Sequence, residues 1–389
     1  MENSNNQDML GIERLLSVEE RQIRDSVRDF VNAEIVPITK QHFRDAIFPE
    51  YVVKGMAGLG IFGAHIDGYG CAGVSPVGYG LIMQELEKAD SAIRSFASVQ
   101  SSLAMTAIWL HGSEEQKNYW LPLMAEGKVI GAFALTEPDH GSDPGSMTTF
   151  ASPNTKGWIL NGEKFWITNA SRANVIVVWA KTPDGIKAFI VEAPVKGLSV
   201  SEIKNKLSLR ISSTGSLAFE NIQLSNDSIL EKSKGLSSAL QCLNYARFGI
   251  AWGVMGAAEA CLTETLNYTM QRTQFSRPIA AYQLVQSKLA DMYTELSVGQ
   301  LLAYQIADNK RSGTLHHSQI SMAKYRNTQT ALDIARTCRD LLGASGVLDD
   351  FVTMRHMMNL EAVNTYEGTR HMHQLAIGKH LTGIAAFDG

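Results

Sequence analysis

Residues 158–169, WILNGEKFWITN, open the run of segments whose reading decides the fold. VIVVWAK (175–181), KAFIVEA (187–193) and GSLAFENIQL (215–224) follow. All are short and rich in β-branched and aromatic residues, which pack well on a pleated surface. Asn161-Gly162 and Asp184-Gly185 are turn formers placed between the apolar runs. No helix-length segment interrupts the strands, so an antiparallel sheet or barrel is expected rather than a parallel βαβ sheet.

On either side the periodicity changes from two to about four. Upstream, Ser17 followed by Glu20 makes a capping box, and Ile23, Val27, Phe30 and Val31 recur at helical spacing. Ser113 and Gln116 repeat the signal before Trp120, Leu121 and Leu123. Downstream, YQLVQSKLADMYTELSVGQLLAYQIA (282–307) carries an apolar stripe containing Leu289, Met292 and Leu296. A helix this long needs other helices to cover its face. The expected chain is α+β and multidomain: an N-terminal helical domain over 1–130, a β domain over 131–228 and a C-terminal helical bundle over 229–389. The Ser/Lys-rich stretch 225–238 is the expected junction between sheet and bundle.

Composition narrows the class of function. Of 389 residues, 45% are hydrophobic and 19% charged, enough apolar content for a sizeable core. The formal net charge is −4 and no Lys/Arg run stands out, which argues against a nucleic-acid-binding face. Cys71, Cys242, Cys261 and Cys338 are scattered, without the spacing of a metal site or a disulfide framework. No metal is expected, and the thiols are read as reduced. The N-terminus has neither a signal-peptide nor a transit-peptide pattern, and no apolar run is long enough to span a membrane. A cytoplasmic enzyme is expected.

Four separated segments then carry a resemblance: FALTEPDHGSD (133–143), KFWITN (164–169), QRTQFSRPI (271–279) and NTYEGT (364–369). In this order, on a helix–sheet–helix background, they resemble the acyl-CoA dehydrogenases. GYGCAG (68–73), SVQSSLAM (98–105), ARFGIAWGV (246–254) and RHMMNLEAVNTYEGT (355–369) are most similar to the glutaryl-CoA dehydrogenase branch. The resemblance implies a C-terminal four-helix bundle, FAD as cofactor, an acyl-CoA or acyl-carrier-protein thioester as substrate and an electron-transfer flavoprotein as acceptor. It also implies a homo-oligomer, usually a tetramer.

Dehydrogenating a thioester at Cα–Cβ needs a base for the α-proton and a hydride acceptor for the β-hydrogen, which a flavin supplies. By resemblance Glu367 is the base, with Tyr366 and Gly368 beside it. On local sequence alone a helix-start glutamate is the better reading, and the whole-chain resemblance reverses it. Ala246 stands at the rival base position of the family, and Arg247 resembles an arginine that supports the active-site loop. Leu135, Thr136, Gly141 and Ser142 match the first flavin segment, with Ser142 also near the substrate; Trp166, Ile167 and Thr168 match the second. Read alone, Trp166 and Ile167 are also ordinary β-core residues. Arg272, Phe275 and Gln283 match the segment that reaches a neighbouring subunit's cofactor, and Gly343 and Thr369 match its dinucleotide end. The family's Gly-Gly-Asn-Gly reads here Gly343-Ala344-Ser345-Gly346, and Arg370-His371 replaces His-Asp.

For the acyl group, Arg94, Glu87 and Ser98 match the carboxylate pocket of the glutaryl branch, which implies glutaryl-CoA oxidation with decarboxylation. Asp90 and Arg94, four apart, also read as a solvated helix pair. Phe96 and Thr106-Ala107 depart from the branch, which leaves a different carboxylated acyl chain, or one on a carrier protein in a biosynthetic pathway, as the alternative. A helical scaffold that has lost its activity is a third reading, and the presence of Glu367, Thr168 and Arg272 counts against it.

Overall fold

The computed structural model describes residues 8–387. They gather into two compact units: the first takes the described residues up to Lys40, Ser75–Arg94 and the chain from Phe248 onward, and the second takes Gln41–Val74 and Ser95–Arg247.

In the first unit, α1 (Val18–Phe30) starts at the expected capping box, where Ser17 accepts from the Glu20 amide and Glu20 reaches back to the Ser17 amide. Such a cap is worth about 1 kcal/mol. A π-turn (Val31–Ile35) leads α1 into α2 (Val36–Asp45). α1 packs on α4 (Pro76–Ala89), which is buried almost throughout and leads into α5 (Ser91–Ser98). The C-terminal helices are α8 (Gly235–Gln271), α9 (Gln283–Arg311), α10 (His317–Leu341), α11 (Val352–Thr365) and α12 (Arg370–Thr382). Four of them share one core: Ile250, Val254 and Ala258 of α8 meet Met292 and Leu296 of α9, Ala331 and Ala335 of α10, and Leu360 and Val363 of α11. The stripe read over 282–307 is therefore the bundle-facing side of α9.

The second unit contains α3 (Val52–Gly58), α6 (Thr106–His111), α7 (Glu114–Ala125) and a seven-stranded sheet. The strands are β1 (Gly131–Ala134), β2 (Phe150–Asn154), β3 (Gly157–Thr168), β4 (Val175–Thr182), β5 (Gly185–Glu192), β6 (Leu198–Glu202) and β7 (Thr214–Leu224). They run in the order β1-β4-β2-β3-β7-β6, with β5 on β4. Leu160, Ile167, Val178, Phe189, Leu217 and Phe219 meet in its core.

Two expectations are corrected here. The sheet is not wholly antiparallel, because β1 pairs with β4 in parallel, Gly131 opposite Val175. The chain returns from β1 to β4 through the β2–β3 hairpin, so strands make the crossover that a helix usually makes. Asn161-Gly162 is not a turn but a bulge inside β3, where the register against β7 slips between Leu160 and Gly162. Gly162 has φ 137, and a Cβ there would lie 2.6 Å from the Thr149 Cα, so the glycine serves a close approach. The loop before Gly185 is the hairpin that was read, with Thr182 opposite Gly185. Among the described residues no helix is long and apolar enough to cross a membrane.

Candidate active site

The last turn of α4 and the first of α5 set a charge inside the first unit. Arg94 is fully buried, as is Glu87. Its Nε donates to Glu87 Oε2 at 2.6 Å, and its Nη2 donates to Glu87 Oε1 at 3.3 Å and to the Tyr366 hydroxyl. Nη1 is buried with no hydrogen-bond partner among the described residues. Burial by itself disfavours the guanidinium charge, but Glu87 and Tyr366 more than offset that and raise the pKa. Burial pushes the Tyr366 hydroxyl up as well, against the pull of Arg94. On α8, Gly253 makes room for the pair: a Cβ there would lie 2.1 Å from Glu87 Oε2.

The alternative pairing of Asp90 with Arg94 does not form. Asp90 instead accepts from the Ala92 amide at 2.8 Å, from Asn359 at 3.0 Å and lies 3.2 Å from Arg355 Nε. That leaves Arg94 to Glu87 and Tyr366.

Glu367 follows Tyr366 where α11 ends, in a left-handed conformation (φ 53). Gly368 is left-handed too (φ 96), and Thr369 then caps α12 by accepting from the Met372 amide. Glu367 is half-buried. Lys324, buried on α10, donates to the carbonyls of Tyr366 and Gly368, each at 2.8 Å. Nothing local in SMAKYRN marks this lysine, and Gly253 is equally silent in sequence.

In the second unit, the two matched flavin segments are tied together. The Phe165 amide donates to the Thr136 carbonyl at 2.8 Å. Lys164, fully buried, donates to the Leu135 carbonyl and to Glu137 Oε1, each at 2.9 Å. Glu137 also accepts from the Thr148 amide (2.6 Å), the Thr148 hydroxyl (2.9 Å) and the Thr149 amide (2.9 Å). Burial lowers the Lys164 ammonium to about 8, against the attraction of Glu137. Burial alone would raise Glu137, but the Thr148 amide, Thr149 and Lys164 bring it down to about 2. Both residues stand inside the quoted motifs.

Trp166 holds φ 60 in a second slip of β3 against β7, between Lys164 and Ile167, and the residue is 56% exposed. Ile167 turns into the sheet core, so only its backbone is offered outward. Thr136 and Thr168 are half-buried, and Gly141 and Ser142 are exposed. Ser98 is buried, its hydroxyl without a hydrogen-bond partner among the described residues. Phe96 packs on Phe48 and Phe62, with ring centroids 4.5 and 5.8 Å away. Two positions after Arg94 it points around the helix by about 200°, away from the arginine's side. Ala246 is buried on α8 and Arg247 half-buried.

Arg272 precedes a small hairpin, β8 (Thr273–Gln274) with β9 (Arg277–Pro278), whose turn residues Phe275 and Ser276 are both left-handed. Phe275 is 89% exposed at its tip, and Arg272, Gln283 and Gly343 are exposed as well. Ala344 is exposed in a 3₁₀ turn (Gly343–Val347), so its methyl meets no buried neighbour within this chain.

Helices, a sheet and a helical bundle follow one another in chain order, as the resemblance to the acyl-thioester flavoproteins implies. Models of the acyl-CoA dehydrogenase N-terminal, middle and C-terminal domains match residues 17–128, 132–222 and 233–382. The chain belongs to the acyl-CoA dehydrogenase family. An acyl-CoA dehydrogenase of Bacillus subtilis is 37% identical, over 94% of this chain and 98% of its own. The human mitochondrial short-chain specific acyl-CoA dehydrogenase is 36% identical over 91% of this chain and 88% of its own. A glutaryl-CoA dehydrogenase of Mycobacterium smegmatis, solved in complex with FADH2, superposes with a TM-score of 0.97 at 48% identity, covering 98% of this chain and 99% of that one.

FAD is the cofactor, and the residues present fit it. The exposed Trp166 offers an apolar face on which a planar ring can pack. The register slip between Lys164 and Ile167 interrupts the ladder with β7 at Phe165-Trp166, and the Phe165 amide is taken by the Thr136 carbonyl, which draws the two matched segments together.

Proposed function

We propose that this acyl-CoA dehydrogenase oxidises glutaryl-CoA and releases its distal carboxylate as CO₂, leaving crotonyl-CoA. The observation that carries this reading is Arg94: a buried cation whose Nη1 has no hydrogen-bond partner among the described residues, while Glu87 holds the other side of its fork. A buried donor of this kind is costly unless a ligand completes it, and a carboxylate matches it in charge and geometry. The 48% identity to a glutaryl-CoA dehydrogenase supports the same substrate.

In this reading Glu367 takes the α-proton. Its side chain leaves a left-handed turn directly after the tyrosine bonded to Arg94. Bound FAD supplies the acceptor for the β-hydride. Arg94 holds the distal carboxylate through oxidation, and Glu367 returns its proton to the terminal carbon once CO₂ has left with its bonding electrons on the acyl side. Ser98 and Arg247 complete the substrate's surroundings. Leu135, Thr136, Gly141, Ser142, Trp166, Ile167 and Thr168 hold the flavin ring. Arg272, Phe275, Gln283, Gly343 and Thr369 serve the dinucleotide end across a homotetramer, a role that the exposed hairpin supports. An electron-transfer flavoprotein takes the electrons.

Anaerobic mixing of the holoenzyme with glutaryl-CoA tests the reading: the flavin absorbance should bleach with release of crotonyl-CoA and CO₂. Bleaching with butyryl-CoA alone would reject glutaryl-CoA and leave the dehydrogenase standing. Glu367→Gln should keep FAD and bind ligand without bleaching, and near-normal turnover would remove Glu367 as the base.

A further inference from the structure

We infer that Lys324 is a positioning residue for the Glu367 carboxylate, acting through the two peptide groups that flank it. The inference rests on the reading of Glu367 as the base. α11 closes with the Tyr366 amide bonded to the Ala362 carbonyl, and α12 opens at the Thr369 cap. Between them the chain turns through Glu367 and Gly368, both left-handed. A glutamate rarely takes that conformation, because its Cβ crowds the carbonyl that follows. It persists only where the surroundings over-determine it.

Lys324 is what over-determines it here. Its ammonium is buried on α10 and donates to the carbonyl oxygens of Tyr366 and Gly368 at 2.8 Å each. Those oxygens lie one residue before and one after Glu367. Fixing both flanking residues fixes the direction of the Glu367 Cα–Cβ bond, and hence where its carboxylate can reach. Helix α10 is well placed to do this, since Ala331 and Ala335 on it pack in the bundle core with Leu360 and Val363 of α11. The lysine needs no contact with substrate or cofactor to exert this control. A carboxylate displaced by about 1 Å from its line of attack loses on the order of 100-fold in rate.

The test uses FAD-loaded enzyme and three variants: Lys324→Ala, Lys324→Gln and Glu367→Gln. Lys324→Ala should keep its flavin and a KM within about three-fold of wild type, while anaerobic flavin reduction by acyl-CoA slows on the order of 100-fold. Ethylammonium, which fits the space left by the side chain and restores the donors, should recover part of the rate, and ethanol at the same concentration should not. Lys324→Gln retains one donor pair and should fall between the two. It also serves if the alanine variant does not fold. Wild-type reduction by the lysine variants, with Glu367→Gln inactive, overturns the role of Lys324 alone. Slow reduction that tracks flavin loss or a raised KM, without rescue by the amine, marks a merely structural lysine and overturns it too. Full activity in Glu367→Gln removes the base assignment, and this inference with it.

Discussion

Lys164 with Glu137 in one unit and Arg94 with Glu87 in the other are both fully buried cation–carboxylate pairs, yet their hydrogen bonding differs. The first pair is saturated. Lys164 reaches the Leu135 carbonyl and Glu137, with the Met147 sulfur at 3.9 Å, and the Glu137 oxygens take two amides and a hydroxyl besides. The second pair stops short, because Arg94 keeps Nη1 without a partner among the described residues. A saturated buried pair has nothing left to offer a ligand, and its effect is to fix the backbone at Leu135 and Thr148-Thr149. An incomplete one carries a free-energy cost in the empty protein that a ligand can relieve. On the proposed function, the difference separates a brace from a recognition site.

Breaking the brace should have the largest effect. Lys164→Met leaves the Glu137 carboxylate buried without its cation, which costs about 3–5 kcal/mol. The loss should show as a lowered Tm together with weaker flavin retention, since the Leu135 carbonyl is released next to the matched flavin segment. A Tm within a degree of wild type would mean that the pair is not a brace. The recognition pair is sharpened by Arg94→Lys, which retains a cation for Glu87 but not the planar fork. Hydrogen bonds to charged groups are worth about 1.5–3 kcal/mol, so kcat/KM for glutaryl-CoA should fall roughly 10- to 150-fold. Butyryl-CoA, lacking the carboxylate, should be little affected. An equal loss on both substrates would show that Arg94 serves the fold and not the distal carboxylate.

The same contrast separates what could be read in advance from what could not. Helix caps, strand composition and the α9 stripe are local, so Ser17–Glu20, Ser113–Gln116 and the strands from residue 158 onward were expected and are present. The parallel β1–β4 pairing and the bulge at Asn161-Gly162 depend on partners far along the chain, so the lack of an intervening helix misled on the first and a local turn rule on the second. At the site, Arg94 and Glu87 stood in recognisable segments, but that Asp90 would bind Arg355 and Asn359 instead was set by α11, hundreds of residues away. Lys324 is the extreme case: a lysine in a helix looks solvated until the turn that it holds is in view.

The smallest effect expected concerns acid. Glu137 is held near 2 in the folded chain, below the usual glutamate range near 4.3, because the Thr148 amide, Thr149 and Lys164 outweigh the burial that opposes its charge. As pH falls through about 4.3 the unfolded chain binds this proton first, so stability is present above that pH and drains away towards 2. Lys164, depressed only to about 8, stays cationic throughout this window and adds no slope of its own. The contribution of Glu137 is then at most about 1.4 kcal/mol per pH unit. Glu137→Gln should be less stable than wild type near neutrality but lose stability less steeply between pH 4.5 and pH 3, measured by chemical denaturation at each pH. Parallel acid limbs for the two proteins would show that the pair's saturation does not depend on the carboxylate charge. The brace would then be one of shape rather than of electrostatics.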